Sequence, residues 1–506
     1  MQARGRIDLV MAGILVLAGA LLLTNLDNGL LWQDEAETAL LARNTLRFGY
    51  PRAFDGRHYL DVAGHGFGPG EAWIYSPWLP FYLLAGFFRA AGESTWIARL
   101  PFALFGWAAV FLTWRLVRRL TDDVRIHRLS VALLACSVPF MLHMRQCRYY
   151  AMATALLTGA CLSYIAFLKR PSFRWIAALA VSLILLFHTN FGTFVPAFAA
   201  VFAHQAVGGT RQTSRRFLWG MGAVVLGAFP WALYFYRPAF IGALSLERMY
   251  RHLEYYIRIT NKYLVPLALM AATSLGLALW RWRTQRRRVA ASPSLDPSVR
   301  AFLLLMVALQ VAFLLLPDQR HMRYLIPVLP ILAIAEAWWL VSLFHTSRLR
   351  PVGWALAALA LVTNVLQSVQ PAIPLMDFAE ELTHRYVGPM EGVVGYLRAH
   401  GKPGEVVKIP YDDRTLIFYT DLTVARPSEF LRESYPEWVV IRRGWIPAPF
   451  FQGAYFRRLE QTYERIELDA PDAFWQNRED PGLHHFRRAW WPPPVLMFHK
   501  RGATYG

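Results

Sequence analysis

Apolar residues run in long blocks from the start of the chain to about residue 369, and basic clusters mark the gaps between them. The first block, Ile7 to about Leu26, follows Met1-Gln2-Ala3-Arg4-Gly5-Arg6. No small-x-small cleavage pattern comes after it, so it reads as an uncleaved membrane span and not as a signal peptide. Further blocks lie at about 77–92, 95–117, 129–143, 149–168, 175–190, 192–207, 217–236, 263–280, 301–316, 324–344 and 351–369. Several fall short of the ~20 residues that a spanning helix needs, so their boundaries are loose.

The basic clusters decide the parity of the spans. They are Arg115, Arg118, Arg119, Arg125 and Arg128; Lys169, Arg170 and Arg174; Arg211, Arg215 and Arg216; Arg281, Arg283, Arg286, Arg287 and Arg288; and Arg348 with Arg350. If the 77–92 block crosses the membrane, every later cluster falls outside, against the positive-inside rule. If that block lies in the outer interface as an amphiphilic helix, every cluster falls inside. The second arrangement is expected: about 11 spans, N-terminus cytoplasmic, C-terminus outside. The outer segments are then a long first loop (28–94), short loops near 144–148 and 317–323, a medium loop (237–262) and a tail from about 370.

From Gln370 the pattern changes. Glu391 to Leu397 has helical spacing. Glu405-Val406-Val407-Lys408-Ile409-Pro410, Leu416-Ile417-Phe418-Tyr419 and Trp438-Val439-Val440-Ile441 read as buried strands. The end, through Trp490-Trp491-Pro492-Pro493-Pro494-Val495, is irregular or strand-like. The expected division is a transmembrane domain over 1–370 and a small extracytoplasmic α/β domain over 371–506.

Composition agrees. Of the 506 residues, 55% are hydrophobic and 17% charged, where a soluble domain carries about 25% charged residues. That excludes a disordered chain, a coiled coil and an ordinary cytosolic enzyme. The net charge of +19 follows from the Arg-rich inner loops, not from nucleic-acid binding. Cys136, Cys147 and Cys161 form no CxxC pair, and an odd count gives neither a disulfide framework nor zinc spacing.

Candidate chemistry sits at the outer ends of the spans. Leu31-Trp32-Gln33-Asp34-Glu35-Ala36-Glu37 places two adjacent carboxylates just past the first span. A partly desolvated carboxylate there suits a general base; an Asp capping an interfacial helix is the plainer reading. Arg99, Arg145, Arg148, Arg320 and Arg323 lie where the positive-inside rule makes arginine unexpected. They either hold a phosphate or contact lipid headgroups. Tyr149, Tyr324, His188 and His321 are candidates for a substrate cavity; His188 either lines it or satisfies a turn. Asp55, His58, Asp61, His65 and Glu71 crowd the first loop. His58, Asp61, His65 and Glu71 are weak candidates for a divalent metal, set against a hydrated polar loop.

Several segments in order resemble the GT-C superfamily of membrane glycosyltransferases that use polyprenyl-phosphate sugars. The nearest branch is that of the protein O-mannosyltransferases (dolichyl-phosphate-mannose-protein mannosyltransferase-like) and the lipid A aminoarabinose transferases. The segments are Asp34-Glu35 with its following helix; Tyr75-Ser76-Pro77-Trp78-Leu79-Pro80; Ala98-Arg99-Leu100-Pro101; Arg145-Gln146-Cys147-Arg148-Tyr149-Tyr150-Ala151, like R-x-x-R-x-Y-A; and Arg323-Tyr324-Leu325-Ile326-Pro327-Val328-Leu329-Pro330, like RYLLPLLP. The resemblance covers residues 1–370 and is weak in the tail. It implies an interfacial helix after the first acidic motif. It further implies a bacterial inner-membrane enzyme with a periplasmic tail, and inverting transfer to an acceptor hydroxyl on the outer face. Asp34 would be the base, Glu35 its support, and the arginines would hold the donor phosphate. The implied partners are a polyprenyl-phosphate-linked sugar, a glycan, lipid or protein acceptor, and membrane lipids. No cofactor is certain, and a divalent metal stays open.

Two departures set this chain apart. The aminoarabinose branch has a basic residue where Glu37 stands, and an acidic–basic pair where Tyr75-Ser76 stands. A different sugar or acceptor is therefore expected. The competing classes are an O-antigen ligase or polymerase, a lipid or sugar transporter, and a membrane-anchored binding protein. The first relies on a late outer loop. The second would show internal repeats and mid-membrane charges. The third leaves the spans unexplained.

Overall fold

The computed structural model describes residues 8–60, 67–209, 211–235, 245–284, 295–344, 349–367, 373–427, 430, 434–473 and 493–501. In chain order its helices are α1 (Leu9–Leu23), α2 (Gln33–Phe48), α3 (Leu79–Ala91), α4 (Thr95–Leu120), α5 (Val124–Cys136), α6 (Val138–Met144), α7 (Tyr150–Lys169), α8 (Phe173–Phe187), α9 (Phe191–Gly208) and α10 (Arg211–Phe235). Next come α11 (Leu246–Ile259), α12 (Leu267–Thr284), α13 (Pro297–Phe313), α14 (Leu329–Phe344), α15 (Arg350–Val362), α16 (Pro374–Thr383), α17 (Pro389–His400), α18 (Asp413–Tyr419) and α19 (Ala454–Thr462). The strands are β1 (Val406–Lys408), β2 (Thr423–Val424), β3 (Trp438–Ile441), β4 (Tyr463–Pro471) and β5 (Pro494–Lys500). Contacts divide the chain into two compact units, one of Met1–Thr24 with Phe102–Phe378, the other of Asn25–Pro101 with Ala379–Arg478 and the end of the chain. The break does not fall at 370 alone: the first loop belongs with the tail.

The first unit is helical. Among the described residues five helices are long and apolar enough to cross a membrane. Two bent pairs raise that to seven: α5 with α6, bent by 65°, and α11 through Leu264 with α12, bent by 88°. Shorter apolar helices account for the remaining hydropathy blocks. Counting both kinds and setting α3 aside reproduces the expected eleven, although helices of 13 to 17 residues fall short of a full span on their own. Prolines make the bends: Pro139 opens α6, and Pro266 follows the π-turn Thr260–Leu264. The 237–262 segment, expected as a loop, contains α11. Its Leu246, Tyr250, Leu253 and Ile257 are exposed while His252 and Tyr256 are buried, the two-faced spacing of an amphipathic helix.

The second unit carries a five-stranded sheet in the order β2-β1-β3-β5-β4. β1 runs parallel to β2 and β3, and β5 runs antiparallel to β3 and β4. Val439, Ile441, Tyr455, Leu459, Tyr463 and Phe498 form its core. The helix expected over 391–397 lies within α17, the strand expected over 405–410 is present as the shorter β1, and the strand expected over 438–441 is β3. Leu416–Tyr419, read as a strand, is instead the body of helix α18. Four apolar residues are too few to show a period, and α18 is buried from Asp413 to Phe418, so no polar face marks the helical repeat. α3 buries Phe81, Leu84 and Phe88 and packs on α2. At 13 residues it is about 20 Å long, too short for a bilayer core of about 30 Å. It groups with the tail and not with the spanning helices, which agrees with the interfacial reading.

Candidate active site

The N-terminus of α2 carries the acidic pair. Asp34 and Glu35 lie in its first turn, where carboxylates complement the helix dipole. The Glu35 carboxylate accepts the Trp32 N–H at 3.4 Å as half of a capping box. The helix ends at Gly49, in the left-handed region at φ 83°. Of the five residues Gln33–Glu37, four are buried and Asp34 alone is partly exposed.

Glu35 is held by Arg99, whose Nε and Nη2 donate to its two oxygens at 2.9 and 2.7 Å. Nη1 donates to the carbonyls of Leu26, Asn28 and Gly29 at 2.9, 2.9 and 3.1 Å, and Nη2 also reaches Leu30 at 3.2 Å. All five guanidinium N–H groups therefore serve the turn that leads into α2. This departs from the expectation that Arg99 holds a donor phosphate: its hydrogen-bonding capacity is used by the protein, and its charge is balanced by Glu35.

The tail supplies the other contacts. Gln33 Nε2 donates to Asp413 at 2.6 Å, and the Arg414 N–H donates back to Gln33 at 3.3 Å. Arg414 pairs with Glu37, both buried. Thr415 donates to the Leu31 carbonyl at 2.9 Å. The Leu31 N–H donates to the Tyr419 hydroxyl at 3.0 Å, which also meets Thr95 at 2.6 Å. The Leu30 N–H donates to Glu391 at 2.8 Å. Burial pushes the Asp413 and Glu391 carboxyls upward, while Arg414 and the Gln33 amide pull Asp413 back. The acidic residue at position 37, one of the two departures from the aminoarabinose branch, thus has an arginine partner of its own.

In the first unit, Arg148 and Arg323 both lie in the surroundings of Tyr149. Each guanidinium lies 5.8 Å from the ring of the next residue, Tyr149 and Tyr324 respectively. Both charges act on the Tyr149 hydroxyl. The turn that bears Arg323, Met322–Val328, packs on α7, and Arg148 precedes the N-terminus of that helix. Two half-buried arginines beside a helix N-terminus suit an anion. The His321 ring is 5.4 Å from Tyr324, so it belongs to the same group. The other candidates have different surroundings. Arg145 is buried and donates to the carbonyls of Leu21, Leu22 and Thr24, capping α1. Arg320 is exposed and holds α11, donating to the Arg251 carbonyl at 3.2 Å and lying 5.2 Å over Tyr255. His188 packs against Phe187 and Trp231 and meets the Gly227 carbonyl of α10 at 3.1 Å, so its ring ties the α8–α9 turn to α10.

The metal candidates do not converge. His58 pairs with Asp55 at 3.0 Å and Glu71 with Arg52 at 2.6 Å; Asp61 and His65 lie outside the described residues. Among the described residues no three His, Cys, Asp or Glu side chains gather as a metal site. Arg414, Asp413 and Glu391 escaped the sequence reading. The only local signal was the polar run Asp412-Asp413-Arg414 ahead of an apolar stretch, a helix-start pattern.

A family model described as dolichyl-phosphate-mannose-protein mannosyltransferase matches residues 75–235. The structure is similar to ArnT from Cupriavidus metallidurans bound to undecaprenyl phosphate, with a TM-score of 0.58 over 98% of each chain at 12% identity. The chain has the GT-C glycosyltransferase fold. The apo form of the same ArnT matches at TM-score 0.57 and 13% identity over 97% of each chain. An oligosaccharyltransferase from Archaeoglobus fulgidus, in complex with Zn and sulfate, matches at 0.51 and 13% identity over 83% of this chain and 62% of that one. No curated protein matches by sequence. The family-model match includes Arg99, Arg145, Arg148, Tyr149 and His188 and begins after Asp34.

Proposed function

We propose that this chain is a membrane glycosyltransferase that moves a sugar from a polyprenyl-phosphate carrier to an acceptor hydroxyl, with inversion, on the outer face of a bacterial inner membrane. Asp34 takes the proton from the acceptor hydroxyl as that oxygen attacks the anomeric carbon. The bond to the carrier phosphate breaks, and the phosphate leaves as an anion. Arg148 and Arg323 stabilise the developing charge, with Tyr149 and Tyr324 beside them. Glu35 and Arg99 hold the turn that carries Asp34. The acceptor is a glycan, a lipid or a protein. If a divalent metal takes part, the described first-loop candidates His58 and Glu71 already have other partners.

The carrying observation is the first turn of α2: a partly exposed carboxylate between buried, hydrogen-bonded neighbours, on a GT-C fold. Undecaprenyl phosphate in the similar ArnT and the mannosyltransferase family model support a polyprenyl-phosphate donor. The paired arginines support a phosphate leaving group.

Two measurements test this reading. Asp34→Asn is expected to keep expression and thermal stability while losing sugar transfer by at least ~100-fold, the lower end of general-base effects; retained transfer excludes Asp34 as the base. Native mass spectrometry with undecaprenyl phosphate is expected to show binding to the wild type and a roughly tenfold or greater loss for Arg148→Ala and Arg323→Ala, as suits charge-assisted contacts. Unchanged binding in both assigns those arginines elsewhere.

A further inference from the structure

Helix α18, in the C-terminal part of the chain, touches the start of α2 and the turn before it through four residues, Asp413, Arg414, Thr415 and Tyr419. Asp413 and the Arg414 N–H share the two ends of the Gln33 amide. The Arg414 side chain takes Glu37, Thr415 takes the Leu31 carbonyl and Tyr419 takes the Leu31 N–H. Residues 31, 33 and 37 lie on either side of Asp34 and are all buried. Together with Arg99 on Glu35, these bonds hold both chain neighbours of Asp34, which is the one partly exposed residue from Gln33 to Glu37.

We infer that Asp413 and Arg414 are positioning residues for the transfer reaction: α18 sets the first turn of α2, and through it the place of the Asp34 carboxylate. The inference rests on the reading of Asp34 as the base. Its physical ground is distance tolerance. A proton acceptor works only within hydrogen-bond reach of the attacking hydroxyl, and a misplacement of about 1 Å costs on the order of 100-fold in rate. Glu37 and Arg414 are the levers because their buried ion pair ties the second turn of α2 directly to α18, and removing one partner weakens the balance of buried charge on the other. Glu37 lies three residues after Asp34, so it shares that helix face. The tail on this reading takes part in catalysis through α2 and does not itself hold the acceptor.

The test is a charge swap read by steady-state kinetics, with polyprenyl-phosphate sugars extracted from the source membranes as donor. Arg414→Ala is expected to lower kcat by about 10- to 100-fold, while the donor KM and undecaprenyl phosphate binding stay within about twofold. Arg414→Lys is expected to recover part of the loss. Glu37→Arg is expected to fail as Arg414→Ala does, and the double variant Glu37→Arg with Arg414→Glu to regain most of the rate. Tyr419→Phe removes the hydroxyl's bonds to Leu31 and Thr95 while keeping the ring, and should fold with a kcat loss of a few-fold; it carries the test if the Arg414 variants do not fold. The proposal is overturned if folded Arg414→Ala or, where that does not fold, Tyr419→Phe keeps wild-type kcat. It is overturned as well if kcat holds while the acceptor KM rises, since the tail would then bind acceptor. Full activity in Arg414→Ala with an inactive Asp34→Asn removes only the positioning role; activity in Asp34→Asn removes the base reading beneath it.

Discussion

Asp55 accepts the backbone N–H groups of Arg57 and His58, each at 2.7 Å, and the His58 ring at 3.0 Å. Burial alone would raise its pKa, but these bonds outweigh it and bring the carboxyl down to about 2. The folded value lies below the unfolded one of about 3.9. The stabilisation is therefore present above pH ~4 and lost as pH falls toward 2. Asp55→Asn should cost about 1 kcal/mol at pH 7, allowing for solvent screening, and nothing near pH 2. Thermal melts of both proteins across that range check this; a pH-independent difference refutes it. Asp34 could be singled out in the sequence because it follows directly on an apolar span. Its supports could not. Arg414 stands 377 positions from Glu37, and a buried ion pair between distant residues leaves no periodic mark. Arg99 was visible as an unexpected outer arginine, but its partners are mostly backbone carbonyls, which no residue pattern encodes.

At the scale of elements, hydropathy blocks gave the spanning helices well because a helix in lipid must satisfy its backbone internally and show apolar side chains along its length. α3 was separable from them only through the parity of the arginine clusters. The errors fall where periodicity is short or absent. α18 hides its helical repeat by being buried on every side. α11 was missed because its polar residues broke up the apolar block, although the alternation of exposed Leu246, Tyr250, Leu253 and Ile257 with buried His252 and Tyr256 is helical. In the tail, β1 and β3 were legible as short apolar runs suited to a covered sheet.

For the whole molecule, the main finding is that the loop after the first span and the C-terminal part are one folded unit. Besides the α18 bonds already given, Arg43 donates to the Phe418 carbonyl of that helix at 3.2 Å, and past its end Arg57 donates to the Asp421 carbonyl at 2.7 Å and His58 meets the Leu422 carbonyl at 3.2 Å. A chain cut at 370 would lose the Arg414–Glu37 pair and every α18 bond to Gln33 and Leu31. The expected result is a membrane-inserted protein with no sugar transfer, in which trypsin cleaves within 25–101 under conditions where the full chain resists. Equal protection of that segment in both chains would refute the shared fold. The same discontinuity bears on how the protein is made. Residues 25–101 leave the ribosome well before Ala379, and at about 5–20 residues per second the wait is roughly 15 to 55 s. Through that interval the segment bearing Asp34 lacks its partners. A nascent chain therefore meets the lipid pool with the first turn of α2 still unsupported, and under the proposed function competence for transfer arrives only with the last quarter of synthesis.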